Sequence, residues 1–338
     1  MKHTVKITLI IIVAFLISQL IGLLMFQLYD QNFGKSYQDK VQELKDKNIS
    51  LPSAPNATIM DFVSAPVEAK EPIDFIKLAI NLLIAIALAI VLFFVLTRIG
   101  VVPVLKGWFS LVIFICLSIA LTLLLYPLLG HHLLRIGGLR FSFAEVIGIP
   151  LAGVLTYFKI FKRQLLIHNL TELFIYPGFA IVLLPILNVV VATALLLAIS
   201  IYDIVSVWRS NYMVGLANFQ VKHLKVFSGF FIPYIGKGDR AKINAAKSLK
   251  SKKEKMSRLQ KIKVRVAALG GGDIAIPMVF LGTIFLAYGL IAYFIVLAFI
   301  LAALAALLFT AKDKAYPAMP YLAAGALIGL FIVLLIFA

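Results

Sequence analysis

Negative charge is scarce in this chain. Its 338 residues hold 15 Asp and Glu against 32 Lys and Arg, and charged residues make up only 14%. With 62% hydrophobic residues and a mean hydropathy of +1.03, such a chain cannot clothe a soluble globular surface. It has one cysteine, Cys116, which excludes an intrachain disulfide framework and reads as a small buried hydrophobe in an apolar run. Its apolar runs lack period-two alternation, which excludes a membrane β-barrel and leaves helices as the spanning elements. A net charge of +17 suggests nucleic acid at first sight. Yet the basic residues come with no aromatic stacking pattern and no recognisable binding fold, so no nucleic-acid partner is expected.

What the chain has instead is apolar length. A helix needs about 20 apolar residues to cross ~30 Å of hydrocarbon. Lys2 and Lys6 precede a run from about 7 to 28 that is too long for the core of a cleaved signal peptide, so it reads as a retained first span. A polar, slightly acidic segment at about 29–74 follows, with Pro52, Pro55, Pro66 and Pro72, and reads as an extended outer loop or small cap. Further spans are expected at about 75–96, 108–128, 141–158, 166–185, 188–208, 266–287, 289–310 and 318–337. Two boundaries, at Pro185 to Asn188 and near Tyr288-Gly289, rest on length alone: about 42 apolar residues make two crossings. The expected fold is all-α, with nine transmembrane helices. It divides into an N-terminal membrane region, 1–185, of five spans and a C-terminal region, 186–338, of four.

Sidedness follows from the basic segment at about 209–265, where some fifteen Lys and Arg face only Asp239 and Glu254. Basic residues near span ends stay cytoplasmic. That puts this loop inside, the N-terminus inside and the C-terminus outside. Arg98, Lys106, Lys159, Lys162, Arg163, Lys312 and Lys314 agree, while Arg135 and Arg140 fall on the outer side and disagree. The loop either attracts anionic lipid headgroups, at about 1 kcal/mol per basic residue, or is a solvated inner loop that obeys the sidedness rule.

Against that scarcity of acid, two carboxylates inside apolar spans are informative. Asp203 lies near the inner end of the sixth span, and Asp273 follows Gly270-Gly271-Gly272 near the inner start of the seventh. A carboxylate at bilayer depth costs at least ~2.5–3.5 kcal/mol and marks a functional site by default. At 1.5 Å per residue the two sit at matching depth, roughly 8–10 Å below the inner surface. Two carboxylates at one poorly solvated site cannot both ionise readily and tend to share a proton. Such a pair can activate water with one member and polarise a carbonyl with the other. The three glycines remove side chains beside the second aspartate, so another backbone can approach. Tyr202 either packs or hydrogen-bonds beside the site. Intramembrane carboxylates equally mark proton or cation pathways, so on these residues alone hydrolysis and transport both stand. The chain shows no inverted repeat, which weighs somewhat against transport.

Three motifs then carry a resemblance. Ile201-Tyr202-Asp203, Gly270-Gly271-Gly272-Asp273 and Pro317-Ala318-Met319-Pro320 resemble, in order and on the expected spans, the motifs of the presenilin and signal peptide peptidase family of intramembrane aspartyl proteases, in particular its archaeal members. Met319 stands where the family's last motif has leucine, a change that keeps volume and apolarity. The resemblance implies that Asp203 and Asp273 are the catalytic pair. It also implies that Tyr202, Gly270, Gly271, Gly272, Pro317, Ala318, Met319 and Pro320 form the active-site wall. The implied substrates are single-span membrane proteins or peptides in a lipid bilayer, with no metal, organic cofactor or obligatory partner subunit. Pro317 and Pro320 resist helix and keep an extended backbone beside the pair. A strand-like segment there would receive an unwound substrate by strand addition.

Other polar residues read as structural. His131-His132 lacks a third ligand nearby. Glu145 and Glu172 lie within about a turn of expected span ends, where carboxylates reach water. Asn48-Ile49-Ser50 and Asn56-Ala57-Thr58 are glycosylation-type triplets on the expected outer loop.

Overall fold

The computed structural model describes residues 5–33, 102–130, 133–136, 139–162, 164–208, 228–234, 265–310 and 316–337, plus seven helical positions between 77 and 95. Helix α1 (Val5–Asn32) is followed by α2 (Val102–Leu129), strands β1 (Leu133–Ile136) and β2 (Leu139–Ser142), and α3 (Phe143–Tyr157). Then come α4 (Leu165–Leu183), α5 (Val189–Trp208), β3 (Gly229–Tyr234), β4 (Arg265–Gly270), α6 (Gly271–Thr310) and α7 (Met319–Phe337). Among the described residues, seven helices are long and apolar enough to cross a membrane. Helix α1 runs on to Asn32, past the expected loop start at about 29; most of the expected second span, the rest of the outer loop with its two asparagine triplets, His131-His132 and most of the basic segment lie outside the described residues.

The two boundaries read from length alone are visible as backbone breaks. Pro185 sits in a 3-10 turn, Leu184–Ile186, and Leu187 is extended at φ −109°, ψ 134°. The Asn188 side chain then accepts the Val191 N–H at 2.8 Å, an N-cap that opens α5. Within α6, Gly289 has φ 81° and ψ −167°, a conformation that side chains disfavour, and it divides the 40 residues into two stretches.

Two expectations need correction. The fold is mostly helical rather than all-α, because two antiparallel ribbons, β1–β2 and β3–β4, join the helices. The seventh span begins at Gly271 rather than at about 266, since Val266 to Gly270 is strand. The apolar run Val266-Ala267-Ala268-Leu269 is too short to tell strand from helix by pattern. It pairs with the equally apolar Phe230-Phe231-Ile232, and the glycine run ends the strand.

One core unites both halves of the chain. Phe15 and Phe26 of α1, Ile181 of α4, Leu196 of α5, Met278, Phe280 and Tyr293 of α6, and Leu322 of α7 are buried in it. A second cluster holds Leu105 and Leu117 of α2, Ala152 of α3, Ile160 of the π turn after it and Ile175 of α4, so α4 contributes to both clusters through Ile181 and Ile175. Inside a membrane, helix contacts depend on close packing rather than on expelling water. Gly325 and Gly329, spaced small-x-x-x-small on α7, meet α6 at backbone range. A Cβ on Gly325 would stand 2.6 Å from the Phe299 carbonyl oxygen, and one on Gly329 2.8 Å from the Val296 Cα. Gly325→Val is therefore expected to cost about 1–3 kcal/mol as an overpacked site. A thermal scan in detergent would read this as a lower midpoint, and an unchanged midpoint would mean that the interface yields.

Candidate active site

Asp203 stands five residues before the end of α5, and 6% of it is exposed. Its Oδ2 accepts the backbone N–H of Met319 at 3.0 Å, and the Ala318 N–H also points to this carboxyl. Composition explains this local geometry. Of the four residues in Pro317-Ala318-Met319-Pro320, only the middle two have amide hydrogens. Pro320 does not keep the expected extended backbone: Met319 and Pro320 are the first two residues of α7, where amides lack partners within the helix and a proline is therefore tolerated. Both free amides of the segment are aimed at Asp203, and Pro317 and Met319 are buried as it docks.

Asp273 lies in the first turn of α6. It lies within electrostatic range of Asp203, which is 70 residues earlier in the chain. The matching depth was reckoned at a helical rise through residues 266–272. That reckoning does not apply to a strand: β4 ends at Gly270, and Asp273 follows three residues later in the first turn of α6.

The three glycines do different work. A Cβ on Gly270 would come to 2.9 Å from Asp273 Oδ2, so the bare backbone there lets the carboxyl fold back. A Cβ on Gly271 would collide with Ser228 Oγ and meet the Tyr176 hydroxyl at 3.1 Å. Gly271 N–H donates to the Ser228 carbonyl at 3.2 Å, tying the start of α6 to the start of β3. Gly272 is exposed and would meet nothing within 4 Å, leaving open space next to Asp273. The Tyr202 side chain is 38% exposed, and its carbonyl accepts the Ser206 hydroxyl.

Residues 133–338 match the family model for signal-peptide peptidase, presenilin aspartyl protease. This chain belongs to that family. It is thus an aspartic endopeptidase and an integral membrane protein. The fold agrees with two solved structures of a presenilin family intramembrane aspartate protease in different space groups. Both have a TM-score of 0.54 and 16% identity; one covers 97% of this chain and 99% of that chain, the other 96% of each. Among curated proteins compared by sequence, none matches this protease.

The protease has a second polar group near the site that the sequence reading placed differently. The sequence places Lys159 among inner-loop cations and Glu172 among carboxylates that reach water. Instead, Lys159 is 6% exposed and Glu172 1%, with Lys159 Nζ 2.6 Å from Glu172 Oε1. Opposite charges on neighbouring helices bury each other here, at the π turn Phe158–Lys162 and one face of α4. Lys159 Nζ also donates to His168 Nδ1 at 3.3 Å, which leaves His168 Nε2 to donate to the Gly229 carbonyl at 2.8 Å. Asn169 grips the next residue but one, donating to the Phe231 carbonyl at 2.9 Å and accepting its N–H at 3.0 Å. The α4 side chains thus hold the outer edge of β3, and β3 holds β4 in front of Asp273. Two adjacent polar residues, His168-Asn169, near the start of an apolar helix were the available signal. Glu145 is likewise 1% exposed: it closes a capping box with Ser142 at the start of α3 rather than reaching water.

Proposed function

We propose that Asp203 and Asp273 together hydrolyse peptide bonds of membrane-spanning helical substrates by activating a water molecule. The observation that supports this reading most is that Asp203, which accepts the Met319 amide of the Pro317-to-Pro320 segment, and Asp273 in the first turn of α6 lie within electrostatic range of each other. The ionised member of the pair takes a proton from water, which attacks the scissile carbonyl. The protonated member hydrogen-bonds the carbonyl oxygen as it gains charge, and a proton then passes to the departing amide nitrogen. A helical substrate must first unwind, because its amides are hydrogen-bonded and sterically shielded. The described backbone of β4 pairs with β3 on one side. Its other edge can take an unwound segment as a third strand, alongside the open space at Gly272. In this reading nine helices cross the bilayer, with the N-terminus and the basic loop cytoplasmic and the C-terminus outside.

Incubating purified protein with a labelled single-span peptide tests the function. Cleavage between residues of the spanning segment is expected. Its absence in every lipid and detergent, together with ion flux that depends on the aspartates, would replace hydrolysis by a cation pathway. The pH dependence is a second test. With one shared proton, activity is lost in acid, when both carboxyls are protonated and no base remains. It is lost again at higher pH, when both are ionised and no acid remains. The expected profile is a bell; a rate that climbs steadily into alkaline pH would rule out the shared proton.

A further inference from the structure

A cavity of about 240 Å³ opens beside the glycine run, between α2, α4 and the start of α6. Its walls are apolar. Phe109, Val112, Ile113 and Cys116 lie on one face of α2 at helical spacing, opposite Ile175 and Phe179 of α4. Its polar lining is of another kind. Lys159, Glu172 and Tyr176 reach it from the buried network, and Ser228, Gly271 and Gly272 reach it from the active site. Glu172 Oε1 is taken by Lys159, while Glu172 Oε2 has no hydrogen-bond partner although the residue is 1% exposed. The Tyr176 hydroxyl, on a side chain 2% exposed, stands near Glu172 and Ser228 without a well-formed bond to either. Buried polar atoms left without a well-formed hydrogen bond are costly and uncommon. Here two of them border the same cavity.

We propose that this cavity is a side-chain subsite of the active site, selecting a substrate residue with an apolar body and a terminal hydrogen-bond donor, for which tyrosine fits best. The inference rests on the protease reading and adds a substrate preference to it. A phenol in the cavity donates its O–H to Glu172 Oε2 and accepts from the Tyr176 hydroxyl, while its ring lies against Ile113, Cys116 and Ile175. A phenylalanine fills the same walls but brings no donor to Glu172 Oε2. A lipid acyl chain has no donor either, and a lysine would bring a second cation to a carboxylate already paired with Lys159. Because Gly271 and Gly272 line the cavity and Asp273 follows them, the selected residue sits at or next to the cleaved bond.

The test is a panel of single-span peptides in micelles, with Ala, Phe and Tyr placed in turn at each position around the cut. One position is expected to show kcat/KM rising about tenfold from Ala to Tyr, with Phe between. A flat panel, or one in which Phe equals Tyr everywhere, overturns the proposal. Val112 is 37% exposed at the cavity edge, so the indole of Val112→Trp has room to form and block entry. This variant should compress the Tyr-to-Ala ratio toward one, and an unchanged ratio overturns the subsite. Cys116 supplies an independent reading in the native protein, since it is the only thiol in the chain. Tyr-bearing peptide should slow its modification by a small methanethiosulfonate, and Ala-bearing peptide should not; equal rates with both overturn the subsite. If no peptide is cleaved yet Tyr peptide still protects Cys116, the subsite stands and the protease reading fails.

Discussion

Asp203→Asn and Asp273→Asn are each expected to remove proteolysis almost completely, by about 10³-fold or more. Neither carboxyl alone can both accept a proton from water and supply one to the carbonyl oxygen. The double variant should be scarcely slower than either single one, because groups that act as a unit are lost together. Folding should survive both changes. An asparagine at 203 keeps an oxygen to accept the Met319 amide, now 3.0 Å from the aspartate, and an amide avoids the cost of burying charge. The measurement is single-turnover cleavage of a labelled spanning peptide, with gel filtration and a thermal scan as controls. A folded single variant that retains a tenth or more of native activity would reduce that aspartate to a structural role. The paired mechanism would then fall.

The helices of this protein were legible because membrane spans write themselves in length and apolarity, which local sequence reports directly. Even the two uncertain boundaries were marked by residues with a physical reason to break a helix: Pro185 with the Asn188 cap, and Gly289 with its positive φ. The aspartates were legible for a similar reason, since a carboxylate in an apolar run needs an explanation wherever it ends up. What pattern could not reveal depended on partners far away in the chain. Residues 266–270 become strand because Gly229 to Pro233 lie alongside them, and a four-residue apolar run does not announce this. Gly270, Gly271 and Gly272 look alike as letters, yet only their neighbours separate a folded-back carboxyl, a tie to Ser228 and an open face. Lys159 and Glu172 misled for the same reason: charge near a span end ordinarily faces water, and each was judged without knowledge of the other.

That pair gives the largest expected loss of stability. Lys159→Met keeps an unbranched apolar stem of similar length but leaves Glu172, 1% exposed, without its counter-charge. Breaking a buried ion pair from one side typically costs about 3–5 kcal/mol, because the remaining charge is stranded rather than because the pair was worth that much. The damage should spread along a defined line. His168 Nδ1 loses its donor, the imidazole is freer to change tautomer, and its Nε2 bond to the Gly229 carbonyl weakens at the strand that supports β4. Removing both charges tests whether stranding is the cause. The double variant Lys159→Met with Glu172→Leu has no charge left to bury, and replacing a buried pair by apolar side chains is often neutral or stabilising. It is expected to regain most of the lost stability in a thermal or denaturant scan in detergent, while Glu172→Leu alone, which strands the lysine, should be as damaging as Lys159→Met. A single Lys159→Met within about 1 kcal/mol of native would mean the pair is hydrated rather than buried. A double variant no better than the single ones would assign the loss to packing instead of charge.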